Sequence, residues 1–277
     1  MSVEYIRSMP EAFKRRHSTR AFTKTEFDES KMKFVENIVE KINNIGKNLG
    51  YKIELVVEPA GFGRLNMLVN EAGWVLARAS KEKLDVEQTR EQYKEIGYMF
   101  ERCILEFTRM DIATCWFGGF NRSKAIEYFE NKYDVIIVFA FGNEGEDRWV
   151  ESVVKWFGSF RGESVYEEEF FDRYEFPMKI DNVGEREDIC LGLHKIPCVM
   201  KPHNFRILFQ EPNIHVFING HGVAMFPNNG WFDIGIVLGT LAEYYESEGY
   251  KTEMVKLENA PTCPKTGEYV CTVVLNK

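Results

Sequence analysis

Arg16-His17-Ser18-Thr19-Arg20-Ala21-Phe22 is the stretch on which the reading of this chain turns. It sets two guanidinium forks and a hydroxyl close together. Arginine gives permanently charged, two-pronged contacts to phosphate oxygens, and a serine hydroxyl adds a donor. Further along stands Thr114-Cys115-Trp116-Phe117-Gly118-Gly119-Phe120. Glycine lets the backbone approach a ligand closely, so that amide N–H groups point at it. Aromatic neighbours suit a flat ring. Together the two stretches read as a seat for a phosphorylated, flat cofactor. Each also has a plainer reading: a solvated basic segment for the first, an ordinary turn for the second.

The rest of the composition sets bounds. The 277 residues suffice for one large domain or two of ordinary size. A hydrophobic share of 44% and an aromatic share of 14% provide a substantial core and exclude a disordered chain. The net charge of -8 argues against nucleic acid or an anionic membrane as partner, so the Arg16–Arg20 cluster stands out against an acidic background. The longest apolar run, Val135-Ile136-Ile137-Val138-Phe139-Ala140-Phe141, is of strand length, and no transmembrane segment is expected. Met1-Ser2-Val3-Glu4 does not open a signal peptide. Six cysteines without a CxxC pair fit a reducing cytosol better than a disulfide framework.

The pattern mixes helices and strands. Met32, Val35, Val39, Ile42, Ile45 and Leu49 recur at three- and four-residue steps and predict a helix ended near Gly50. Ile53–Val57 and Gly73–Ala77 read as strands, with a loop from Pro59 to Gly63 between them. Ile96, Phe100, Cys103, Ile104 and Phe107 mark a buried helix, which places Gly118-Gly119 on the loop after it. The Val135–Phe141 strand breaks at Gly142-Asn143, and Trp149, Val153, Trp156, Phe157 and Phe160 line a further helix. The acidic stretch Glu163–Glu175 marks a boundary, with Glu167-Glu168-Glu169 read as a solvated face; the halves are 1–162 and 163–277. Strands at Phe205–Phe209 and His215–Asn219, a helix from Phe232 to about Ser247 and a strand at Tyr269–Leu275 complete the second half. Each half carries a buried helix with a glycine near its start, Gly97 and Gly235, a faint trace of duplication.

Few side chains could do chemistry. Cys190, His194, Cys198 and His203 lie close in sequence and are all zinc-ligand types. Their spacing matches no common structural-zinc pattern, and cysteine is ordinarily a small buried apolar residue, so no metal is predicted. Cys263 and Cys271 read as loop and strand residues. No GxGxxG precedes a helix and no GxxxxGK[ST] occurs, which removes Rossmann and P-loop readings. No serine or cysteine has the local signature of a nucleophile.

On these residues the chain resembles the nitroreductase superfamily of FMN-dependent oxidoreductases, and within it the subgroup typified by a Thermotoga protein. The likeness is carried by Arg16–Phe22 near the N-terminus, by Gly97-Tyr98 through Thr114–Phe120, and by the helix-then-strand order ending in Phe141-Gly142. It implies an α+β, FMN-dependent nitroreductase-like fold with two diverged nitroreductase-like halves in one chain. Such a pseudo-dimer would act as a cytoplasmic monomer with one complete flavin site.

The resemblance also implies individual roles. Arg16 and Ser18 hold the flavin phosphate with His17 beside them, and Arg20 and Arg64 sit at the pyrimidine edge. Backbone amides of Gly118 and Gly119 face N5 and O4. A loop that reads Pro-Ser-x-x-Asn-x-Gln-Pro-Trp in the superfamily corresponds here to Pro197-Cys198-Val199-Met200-Lys201-Pro202-His203-Asn204-Phe205, giving Pro197, Cys198 and Lys201 to the site. Cys198, Lys201, His203, Asn204 and Phe205 all depart from that pattern. The basic pair usual after Phe141-Gly142 is missing; Glu163 and Ser164 lie near its place, and Arg161 is the nearest substitute. The implied function is transfer of hydride from NAD(P)H to an acceptor such as a nitroaromatic or quinone, with the chemistry at flavin N5 and no catalytic side chain. The alternatives are a degenerate, non-catalytic flavin- or ligand-binding protein and a structural protein that binds no flavin.

Overall fold

The computed structural model describes residues 4–62, 70–117, 120–145, 165–179, 183–198, 203–220 and 228–277. The chain forms two compact units, Met1–Gln88 with Cys103–Phe160, and Thr89–Arg102 with Arg161–Lys277.

In the first unit, helix α1 (Met9–Arg15) starts at Ser8, whose hydroxyl accepts from the Glu11 amide while Glu11 reaches back to the Ser8 amide. This reciprocal cap satisfies two amides that have no partner inside the helix. Helix α2 (Glu29–Asn48) is capped by Asp28 and buries Phe34, Val35, Ile38, Val39 and Ile42. The three- and four-residue spacing thus forms the expected helix, one turn longer at its start. It closes at Gly50, whose φ of 79° is the left-handed value that favours glycine.

Strands β1 (Ile53–Pro59), β2 (Gly73–Ser80), β3 (Ala113–Phe117) and β4 (Tyr133–Gly142) form an antiparallel sheet in the order β1-β2-β4-β3. β4 lies inside the sheet, and Val138–Gly142 are buried without interruption. A strand covered on both faces reads as a continuous apolar run, which is why this segment was legible. Thr114–Phe117, expected to lead into a loop, is instead the strand β3, with Thr114 opposite Phe141 and Phe117 opposite Val138. Threonine and the aromatics there prefer a pleated, half-buried surface, a preference that outweighs the glycines beside them. Trp74, Leu76, Cys115, Phe117, Val138 and Ala140 pack with Phe22 into one core. A short helix α4 (Arg122–Tyr128) connects β3 to β4. Gly118, Gly119 and the helix expected over Trp149–Phe160 lie outside the described residues.

Helix α3 (Val86–Arg109) begins at Asp85, which shares a capping box with Gln88, and is longer than its apolar face alone predicts. Its residues 89–102 belong to the second unit. That unit's sheet runs β5-β6-β7-β9-β8, built from Phe170–Phe171, Phe205–Gln210, Asn213–Ile218, Glu268–Asn276 and Lys251–Val255 respectively. β5 is parallel to β6 and the other pairs are antiparallel. Edge strand β8 was not predicted, since Lys-Thr-Glu-Met-Val carries no continuous apolar run.

The other helices of this unit are α5 (Tyr166–Glu169), α6 (Glu187–His194) and α7 (Asn229–Ser247). Residues 230–245 of α7 are buried on every side, as befits a helix at the centre of its unit. Gly97 sits mid-helix in α3 rather than near a start, and it faces α7. Below it, buried Arg102 donates to Glu243 at 2.5 Å, to the Tyr98 hydroxyl at 2.6 Å and to Glu246 at 2.5 Å. The Glu167-Glu168-Glu169 run is only partly a solvated face: Glu169 is 1% exposed, and its partners are histidines.

Candidate active site

Helix α1 ends where Arg16 turns to extended backbone, its N–H still held by the Ala12 carbonyl at 2.8 Å. The next residues run alongside the ends of β3 and β4. Ser18 forms a parallel bridge with Thr114, and the Thr19 N–H donates to the Thr114 carbonyl at 2.9 Å. Further on, Phe22 bridges Glu144, and the Thr23 N–H donates to Asn143 at 2.9 Å. The two sequence motifs are therefore neighbours, joined backbone to backbone at Ser18 and Thr114.

Arg16 and Arg20 flank the bridged Ser18 in sequence. Arg20 Nη1 lies 3.4 Å from the Ser18 carbonyl oxygen, which it approaches as donor. Burial pushes the Cys115 thiol up to about 11 against the opposing pull of both Arg20 and Arg16. A hydroxyl and two guanidinium forks in one short segment suit a phosphate monoester or another anion with several oxygens.

Part of the segment is self-neutralising. His17 Nε2 lies 2.8 Å from a Glu144 carboxylate oxygen, and Arg15 pairs with the same carboxylate. Thr19 is buried with its hydroxyl 3.4 Å from His17 Nε2. A cleft of about 170 Å³ opens here, with Arg7, Arg15, Arg16, His17, Asp111 and Glu144 among its walls. Arg7 pairs with Asp111 at 2.7 Å. Sequence reading missed Glu144. Its only signal is its place just after Gly142-Asn143, where a basic pair was sought instead.

The site residues assigned to the later loop lie in the second unit. Pro197 and Cys198 follow α6 in a tight turn in which the Cys198 N–H donates to the Ile196 carbonyl at 2.9 Å, and Cys198 is buried. His203, at the glutamine position of the superfamily pattern, turns into its own unit: its Nδ1 is 2.6 Å from Glu169, and its ring stacks on Phe205 at 5.1 Å. Asn204 donates to the Gly220 carbonyl at 3.1 Å. Arg64, Gly118, Gly119 and Lys201 lie outside the described residues, as do Arg161, Glu163 and Ser164. Among the described residues no helix is long and apolar enough to cross a membrane. All six cysteines are buried.

Comparison with known proteins follows the same lines. Along its whole length the chain is similar in structure to a putative nitroreductase from Thermotoga maritima, with a TM-score of 0.58 at 16% identity, covering 99% of this chain and 96% of that one. This likeness shows the fold: a nitroreductase-like α+β architecture. Two further structures match about half of it. A nitroreductase family protein from Clostridium difficile has a TM-score of 0.39 at 19% identity, over 51% of this chain and 87% of that one. A putative nitroreductase in complex with FMN from Exiguobacterium sibiricum has a TM-score of 0.42 at 10% identity, over 52% of this chain and 92% of that one. No curated protein matches the chain. The model of the family described as "Putative TM nitroreductase" matches residues 8–167, more than half of the 277 residues, and the chain belongs to that family.

Proposed function

We propose that this chain is an FMN-dependent oxidoreductase that passes two electrons and a proton from NAD(P)H to a small acceptor such as a nitroaromatic or quinone. The observation that supports the reading is the bridge that sets Ser18, flanked in sequence by Arg16 and Arg20, beside Thr114 of β3. Family membership supports it, as does the FMN bound by the Exiguobacterium protein. The donor set fits FMN, which joins a phosphate monoester to an electron-poor flat ring. When bound, FMN supplies a ring that accepts a hydride and returns its electrons to a second substrate.

The protein's part is to hold and tune. Arg16 and Ser18 would grip the phosphate, with His17 beside them. Arg20 would place a fixed positive charge at the pyrimidine edge, where it favours added negative charge. Gly118 and Gly119 would offer backbone amides, Arg64 a further cation, and Pro197, Cys198 and Lys201 the remaining wall. No side chain is assigned a catalytic role. We further propose that the halves 1–162 and 163–277 are diverged nitroreductase-like copies standing in for a dimer, in a cytoplasmic monomer with one flavin site.

One observation favours the second reading, a degenerate flavin- or ligand-binding protein. His203 is 3% exposed and committed to Glu169, so the glutamine position of the superfamily loop faces the interior of its own unit. Steady oxidation of NADH or NADPH by the FMN-loaded protein, with a quinone present, tests the choice. Turnover supports the oxidoreductase, whereas bound flavin without turnover supports the degenerate protein.

A further inference from the structure

Three donors from separate segments meet in the second unit. Glu169 ends α5, His194 ends α6, and His203 stands just before β6. One carboxylate oxygen of Glu169 lies 2.6 Å from His194 Nδ1 and the other 2.6 Å from His203 Nδ1. One donor atom from each residue falls within 4.8 Å of the others. Neither Cys190 nor Cys198 belongs to this cluster, so the four zinc-type residues seen in sequence divide: the histidines converge, and Glu169 joins them in place of the cysteines.

We propose that Glu169, His194 and His203 bind a divalent transition-metal ion, with zinc as the probe. Two imidazole nitrogens and one carboxylate oxygen are the donors that zinc takes with three protein ligands, leaving a fourth position open. Calcium and magnesium prefer all-oxygen shells. A carboxylate taken out of water beside two bases is costly unless a cation compensates it, and Glu169 and His203 are 1% and 3% exposed. The His194 side chain, 29% exposed, provides the way in. Both rings are held from behind, His194 against Tyr166 at 5.6 Å and His203 against Phe205 at 5.1 Å.

The present spacings are those of hydrogen bonds. Zinc at about 2.0–2.2 Å from each donor sets tetrahedral ligand atoms about 3.3 Å apart. Each 2.6 Å spacing to Glu169 therefore opens to about 3.3 Å on binding while donor atoms standing farther apart close in, and His194, at a helix end and partly in solvent, has the most room. The site makes no use of the Arg16–Arg20 segment and stands whether or not the chain binds flavin.

The test uses the full chain without a histidine tag, stripped with a chelator, loaded with zinc chloride and freed of excess. Bound zinc is counted by mass spectrometry, and affinity is read by competition with a chromogenic chelator. The expected result is about one zinc per chain in the wild type and in a His215→Gln control. Glu169→Gln and His194→Gln should each weaken binding by roughly 100-fold or more, since even altering groups that merely support a ligand costs 10–100-fold. Zinc should raise the unfolding temperature of the wild type and of neither variant. If Glu169→Gln fails to fold, His194→Gln, at the partly exposed position, carries the test. No retained zinc, unchanged affinity in either folded variant, or an equal loss in the control overturns the proposal and leaves a purely hydrogen-bonded triad.

Discussion

Gly97 and Gly235 meet where α3 crosses α7, so closely that neither position has room for a methyl group. A Cβ on Gly97 would stand 2.2 Å from the Phe232 carbonyl oxygen, and one on Gly235 would stand 2.1 Å from the Lys94 carbonyl oxygen. Both obstacles are backbone, so relief requires the helices to part. Gly97→Ala or Gly235→Ala should therefore destabilise the protein by about 3 kcal/mol, the upper end of the overpacking range and the reverse of alanine's usual gain in a helix. Urea unfolding of the two variants checks this. A change of less than about 0.5 kcal/mol would mean that the crossing is looser than described.

The thiols should be silent in the native protein. Burial pushes Cys115 and Cys271 up to about 11 and Cys190 up to about 12, and all six cysteines are buried. The thiolate is the reactive form, and at about pH 8 almost none exists at these positions. Ellman's reagent should find no fast-reacting thiol before denaturation and six after it. Prompt labelling of two or more thiols in the folded protein would contradict this burial.

His215 should make the second unit acid-sensitive. It is buried with Nδ1 2.8 Å from the Thr272 hydroxyl, and burial lowers its pKa below the ordinary 6.5. Below about pH 6.5 the unfolded chain takes up a proton that the folded chain resists. Stability therefore falls as pH drops through that range and levels off once the folded form also titrates. His215→Gln should flatten that part of the stability profile in denaturant titrations between about pH 7 and pH 5. An unchanged slope would assign the acid sensitivity elsewhere.

Glu144 should oppose anion binding. Its carboxylate pairs with His17 and Arg15 beside the Arg16 segment. Glu144→Gln removes a negative charge at a site one-third exposed, which should tighten FMN by about 3–10-fold at low salt and less at high salt. Fluorescence titration at two ionic strengths measures this. Weaker binding would mean that Glu144 instead positions His17 for the ligand.

How much the sequence disclosed follows from how local each signal is. Continuous apolar β4, the wholly buried α7 and the periodic face of α2 were plain because each shows its burial within the element itself. β8 was hidden because an edge strand shows only half its surface to the core, and its exposed half is charged. The Arg16–Arg20 cluster was legible because its residues are adjacent. Its pairing with Thr114 was not, since no local pattern encodes a bridge between segments so far apart. Glu169 was misread for the same reason: a glutamate in an acidic run looks solvated until two distant histidines are brought to it.

The central claim is that Arg16 and Arg20 anchor FMN, and a fluorescence titration of FMN into the wild type and the Arg16→Ala/Arg20→Ala double variant tests it most directly. Two charge-assisted contacts at about 1.5–3 kcal/mol each set the scale. The wild type should bind about one FMN per chain, and the double variant should bind at least ~100-fold more weakly while keeping its native fold. Equal affinity in the two proteins, or no binding by the wild type, would contradict the claim.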